Sequence, residues 1–253
     1  MKKTILLISL CPLLCARAAT TLPVGPITFG TNASYDANFK ESVFDTGNTR
    51  NAAGYLQLQG FQYGPAIFDT SATGGLNGSG GSGGNDANND LSNFTISGDL
   101  ASSEVGQFGA GFLLRLNSAE ASGYFASVIT TGSNSVSFDL FEGAGLNEGF
   151  GFNIFSINVP MSNLSFATNT FYTFKVTADN GTFSFDFGSG AAKASFTDTS
   201  LSATVGQAGF VLTTASPSAA TRFDNFAVVP EPGTFGLLGV AAAGLLARRR
   251  RHH

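Results

Sequence analysis

Two neighbouring stretches, residues 171–178 and 182–187, alternate large apolar and polar side chains, and Asn180-Gly181 lies between them. Tyr172, Phe174 and Val176 alternate with Thr173, Lys175 and Thr177. Beyond the Asn-Gly pair, Phe183, Phe185 and Phe187 alternate with Thr182, Ser184 and Asp186. A period of two puts every apolar side chain on one face of a strand. Asn-Gly is the favoured pair for a tight type I′ hairpin turn, whose two central residues both need positive φ. This segment therefore predicts an antiparallel hairpin with one face buried and the other in solvent, which demands a second layer to cover the phenylalanines.

Runs of the same kind recur at 54–58, 93–97, 108–117, 124–130, 135–141, 150–159, 208–213 and 222–229. Glycine, asparagine and serine punctuate them, and no helical period appears outside the two ends of the chain. About a dozen short strands over residues 20–229 predict one all-β domain, a two-sheet antiparallel sandwich. The chain has 25 phenylalanines and no tryptophan, so phenylalanine is expected to fill the space between the sheets. Residues 74–89 are almost entirely Gly, Ser and Asn, and predict a loop.

The two ends carry a different pattern. Lys2 and Lys3 precede an apolar run to Cys15, followed by Ala16-Arg17-Ala18-Ala19. A basic start, an apolar core and a small-residue A-x-A site are the parts of a secretory signal over residues 1–19, with cleavage expected after Ala18 or Ala19. Both cysteines, Cys11 and Cys15, fall inside it, so the mature protein is expected to hold no thiol and no disulfide. At the other end, Pro230-Glu231-Pro232 precedes an uncharged segment, 233–247, and then Arg248, Arg249, Arg250 and Arg251. As a helix the apolar segment is about 22 Å long, a short transmembrane helix against a hydrocarbon core of about 30 Å. The four arginines orient it with the basic end in the cytoplasm and the body outside.

This ending resembles the PEP-CTERM sorting signal: Pro230, Glu231 and Pro232 match its motif, 233–247 its apolar helix, and Arg248 to Arg251 its basic end. The resemblance assigns residues 230–253 to the tail. It implies an exosortase-type sorting protease as partner, transient residence in the inner membrane through the helix, and a final place in the cell envelope, at the surface or in the extracellular matrix. The other reading of the tail is a plain membrane anchor.

Between the two ends, six cations (Lys40, Arg50, Arg115, Lys175, Lys193 and Arg222) face all 17 acidic residues, a net charge of −11 over residues 19–232. Such a balance excludes nucleic acid as a partner and fits neutral sugars or cations. The only histidines are His252 and His253, behind the arginines. The body thus offers no Ser-His-Asp triad, histidine base or zinc site. Asp86, Asp90, Asp99 and Glu104 form the nearest group of oxygen ligands, of a chemistry that suits calcium; a solvated loop is the other reading. No other cofactor is implied.

A second resemblance rests on four segments in order. They are Phe108-Gly-Ala-Gly-Phe-Leu-Leu-Arg115, Gly123-Tyr124-Phe125-Ala126-Ser127-Val128, Gly206-Gln207-Ala208-Gly209-Phe210 and Arg222-Phe223-Asp224-Asn225-Phe226-Ala227-Val228. Together they resemble the concanavalin A-like lectin/glucanase superfamily, including laminin G-type modules. That implies a jelly-roll over residues 20–229 with carbohydrate as the characteristic partner, and a role for Asp224 and Asn225 in tying down the last strand. Retaining glucanases of that superfamily carry Glu-x-Asp-x-x-Glu. Here Ser137 stands in the nucleophile's place before Asp139 and Glu142, and serine cannot form the glycosyl-enzyme of a two-carboxylate mechanism. No catalytic residue is therefore expected. The expectation is a non-enzymatic exported module that binds polysaccharide or serves structurally, and the alternative is a glycoside hydrolase or lyase of the same superfamily.

Overall fold

The computed structural model describes residues 26–31, 39–41, 49–50, 54–59, 63–68, 93–105, 108–116, 122–143, 152–201, 206–214 and 218–230. Fourteen strands are present among them: β1 (Phe39–Glu41), β2 (Thr49–Arg50), β3 (Leu56–Gln59), β4 (Tyr63–Phe68), β5 (Phe94–Ser102), β6 (Phe108–Leu116), β7 (Tyr124–Gly132), β8 (Ser135–Glu142), β9 (Phe152–Pro160), β10 (Tyr172–Asp179), β11 (Thr182–Phe187), β12 (Ala192–Thr197), β13 (Gln207–Thr214) and β14 (Ala220–Pro230). The first sheet runs β1-β4-β13-β6-β7-β8-β9 and the second β12-β11-β10-β5-β14-β3-β2. Every pairing is antiparallel. This is an all-β two-sheet sandwich, as the alternation requires.

The expected hairpin joins β10 to β11, with Asn180 at φ 43° and Gly181 at φ 85°. Asp179 pairs with Thr182, so the loop has two residues. A side chain on Gly181 would run into the carbonyl of Asp198, which makes glycine necessary for space as well as for φ.

Phenylalanine fills the interior. The nine largest fully buried side chains are all phenylalanine, namely Phe29, Phe39, Phe94, Phe112, Phe138, Phe174, Phe183, Phe185 and Phe187. Phe174, on the second sheet, lies nearly parallel to Phe112 and Phe138 of the first, with ring centroids 5.1 and 6.1 Å away and interplanar angles of 12° and 13°. A second ring cluster (Phe29, Phe39, Phe210, Phe223 and Phe226) fills the space under β13 and β14. Gly98 on β5 leaves the gap that the Phe223 ring occupies.

The last strand is pinned by the residues singled out from sequence. The Phe29 amide donates to Asp224 Oδ1 at 3.2 Å, and Asn225 Nδ2 donates to Asp99 Oδ2 at 2.7 Å. Asn225 has φ 55° where the β14–β5 register shifts between Asp224 and Ala227. It is the extra residue of a bulge, turned so that its side chain reaches back to β5.

The signal segment, residues 74–89 and the tail beyond Pro230 lie outside the described residues. Among the described residues no helix is long and apolar enough to cross a membrane.

Candidate functional site

On the second sheet, strand alternation puts a polar lattice on the outer face. Thr95, Thr177, Ser184 and Ser195 occupy one rung across β5, β10, β11 and β12; Ser97, Lys175, Asp186 and Lys193 occupy the next. The hydroxyls of Thr95 and Thr177 are 2.8 Å apart, and Lys193 Nζ lies 3.6 Å from Asp186 Oδ2. The other oxygen of Asp186 accepts a hydrogen bond from the Gly190 amide at 2.6 Å. This holds the carboxylate between the two lysine-bearing strands. Lys175, Thr177, Ser184, Asp186, Lys193 and Ser195 line a shallow open groove of about 430 Å³. It thus combines two of the body's six cations with one carboxylate and three hydroxyls. Such a set donates to and accepts from a ligand rich in hydroxyl groups.

The outer face of the first sheet is different. Asp139 of β8 is buried (6% exposed) and accepts from Ser156 Oγ at 2.5 Å, Ser137 Oγ at 3.2 Å and Asn153 Nδ2 at 3.4 Å. Ser127 stands opposite it on β7, buried, its Oγ without a hydrogen-bond partner. Val211, Leu113 and Phe125 are buried on the same face of the neighbouring strands. Glu142 has the opposite parity from Asp139. It pairs with the core residue Tyr124, whose hydroxyl donates to Glu142 Oε1 at 3.4 Å. The two carboxylates of the partial glucanase-like match therefore point to opposite faces of β8, and they do not converge on one bond as a retaining pair about 5 Å apart must.

Arg115, noted from sequence in its strand, is the next-to-last residue of β6, with φ 53°, and is 3% exposed. Its guanidinium sits 5.4 Å from the ring centre of Phe183. Burial lowers its pKa below the ordinary arginine value, and Tyr124 and Asp179 act in the opposite direction.

Of the calcium candidates, Asp99 and Glu104 lie among the described residues. Asp99 has both oxygens engaged, by Thr173 Oγ1 at 2.7 Å and by Asn225, while Glu104 accepts from Ser218 Oγ at 2.7 Å. Asp86 and Asp90 lie outside the described residues, and no group of three His, Cys, Asp or Glu able to hold a metal exists among the described ones. Pro230 is the last residue of β14 and pairs with Phe94. Glu231, Pro232, Arg248 to Arg251, Ala16, Ala18 and Ala19 lie outside the described residues. The groove residues were not singled out in the sequence, although the hairpin register about Asn180-Gly181 already sets Lys175 opposite Asp186. Lys193 was hidden because β12 has small residues, Ala192 and Ala194, at its inward positions.

The sandwich is similar to several solved structures. One is a carbohydrate binding module from Bacillus subtilis, 16% identical, with 76% of this chain and 96% of that one covered at a TM-score of 0.47. Another is a legume lectin-like domain from Entamoeba histolytica, 9% identical, covering 77% and 91% at 0.48. A third is a Bacillus licheniformis beta-glucanase, 9% identical, covering 82% and 99% at 0.49. No curated protein sequence matches the chain. Residues 228–251 match the family model described as the PEP-CTERM protein-sorting motif. The chain thus carries a PEP-CTERM sorting motif, and it is an exported protein of the cell envelope or surface.

Proposed function

We propose that the body is a non-enzymatic jelly-roll module of the concanavalin A-like kind, handed over by an exosortase-type protease and bound to polysaccharide in the envelope or matrix. The groove on the outer face of β10, β11 and β12 carries this reading. Its lysines, Asp186 and three hydroxyls lie side by side on adjacent rungs. They offer donors and acceptors at the strand spacing of about 4.8 Å, a scale close to that of one sugar ring. Retention of the mature protein on polysaccharide from the host matrix, with a glycan array to define the sugar, tests it. Lys175→Ala combined with Lys193→Ala is expected to weaken retention by roughly tenfold, the equivalent of about one hydrogen bond to a charged group. No retention on any polysaccharide would leave only a structural role.

The rival reading, a glycoside hydrolase or lyase, predicts release of reducing sugar from β-glucans that disappears in Glu142→Gln. The opposite facing of Asp139 and Glu142 speaks against it.

A further inference from the structure

Among the described residues four strands form the margins of the two sheets, and three of them are short or hold a charged residue in their sequence. β1 has three residues and includes Lys40 and Glu41; β2 has two and includes Arg50; β12 has six and includes Lys193, paired with Asp186. Short length and charged side chains are the usual devices that keep a sheet margin from acquiring a further strand. β9 has neither. It runs nine residues, FNIFSINVP, about 30 Å at the rise of a strand. No charged side chain occurs between Glu148 and Lys175.

Among the described strands β9 pairs only with β8, and it exposes apolar groups. Phe152 is 82% exposed and Ile157 is 42% exposed. Phe155 packs on Phe185 and Phe196 at the rim of the core, with centroids 5.7 and 5.3 Å apart. The register with β8 directs Ile157 and Phe155 toward the core side of the sheet, and Ser156 and Asn158 toward the outer side.

We infer that β9 is the self-association surface of this protein, pairing antiparallel with β9 of a second copy across a two-fold axis. A two-fold contact uses the same patch twice, so one neutral strand suffices and no separate complementary surface is needed. The charge distribution favours a second copy on this strand. In a body of net charge −11, most faces bring acids together on self-contact, whereas the uncharged β9 does not. Pairing about Ser156 sets Phe155 opposite Ile157 of the second copy on the core side and extends the aromatic rim across the junction. The two seven-stranded sheets become one continuous sheet, and the grooves on the second sheets remain outside the contact.

Sedimentation velocity of the mature protein isolated from its host tests this. The wild type is expected to move from monomer to dimer as concentration rises. Ser156→Lys sets two lysines directly opposite each other at the axis and, separately, Ile157→Lys sets them diagonally across it; each is expected to raise the dimer dissociation constant by roughly tenfold or more. Thr197→Lys on β12 is expected to leave it unchanged. Circular dichroism of each variant establishes that it is folded; Ser156 is exposed, so its variant decides the matter if Ile157→Lys does not fold. A wild type that stays monomeric at every concentration, or a dimer that survives a folded lysine variant on β9, overturns the inference.

Discussion

Phe174 shows what single residues contribute here. Its ring lies between Phe112 and Phe138 of the facing sheet and is fully buried. Removing it takes away apolar contact on both sides and leaves a cavity that rigid neighbours cannot fill. Phe174→Ala is expected to lower the unfolding free energy by about 3–5 kcal/mol, read from the midpoint of urea denaturation. The inward direction of Phe174, Phe183, Phe185 and Phe187 was legible from alternation alone, because a period of two admits only two faces. The opposite facing of Asp139 and Glu142 follows from the same period, but the partners of Asp139 on β9, Asn153 and Ser156, were not legible because they depend on which strand lies beside β8. At the surface, the side chain and amide of Ser200 both donate to Asp198 Oδ1, at 2.7 and 2.9 Å, and these bonds hold its pKa below the ordinary carboxylate value. A depressed carboxylate supports the fold above its unfolded pKa and loses that support as pH falls through the folded value. Ser200→Ala is expected to move the Asp198 titration, followed by carboxyl NMR, toward the ordinary value.

Among the elements, the β10–β11 hairpin was readable in full because its turn chemistry and alternation agree. Gly181→Ala should test this: φ is 85° and the new methyl would meet the Asp198 carbonyl. A loss of more than about 1 kcal/mol is expected, seen as a lower thermal midpoint. Each of the ten stretches read as strands holds a strand, whereas β1, β2, β4 and β12 went unread, for separate physical reasons. β1 and β2 have too few residues to show a period. β4 contains Gly64-Pro65, which reads as a turn. Pro65 lies one residue past the last pair with β1, Glu41↔Ala66, at a local margin of the sheet where a missing N–H is tolerated. β12 alternates alanine with polar residues, and alanine gives little hydrophobic contrast. Since β12 supplies Lys193 and Ser195, its faint signal also kept half of the groove out of view.

For the whole molecule, two layers followed from the need to cover the phenylalanine faces, but the strand order did not. β13 lies between β4 and β6, and β14 between β3 and β5. Such long-range insertions leave no periodic trace; side-chain links such as Asp99–Asn225 and Phe29–Asp224 record the place of β14, but nothing in the sequence pairs Asn225 with Asp99 or Asp224 with residue 29. The sorting motif, by contrast, is legible because its parts are contiguous and ordered: Pro230 ends the last strand, and the apolar segment and arginines follow. On the proposed reading, the four arginines keep the end of the tail in the cytoplasm and the acidic body outside. Loss of Arg248 to Arg251, or Glu231→Ala, is expected to leave the protein in the inner membrane fraction. The most direct measurement is C-terminal mass spectrometry of the protein recovered from the host's envelope and medium, beside a fractionation blot. A mature chain ending near residues 230–233, outside the inner membrane, is the predicted result. A released protein still ending in His253, or full-length chain in the cytosol with its leader uncut, would contradict it.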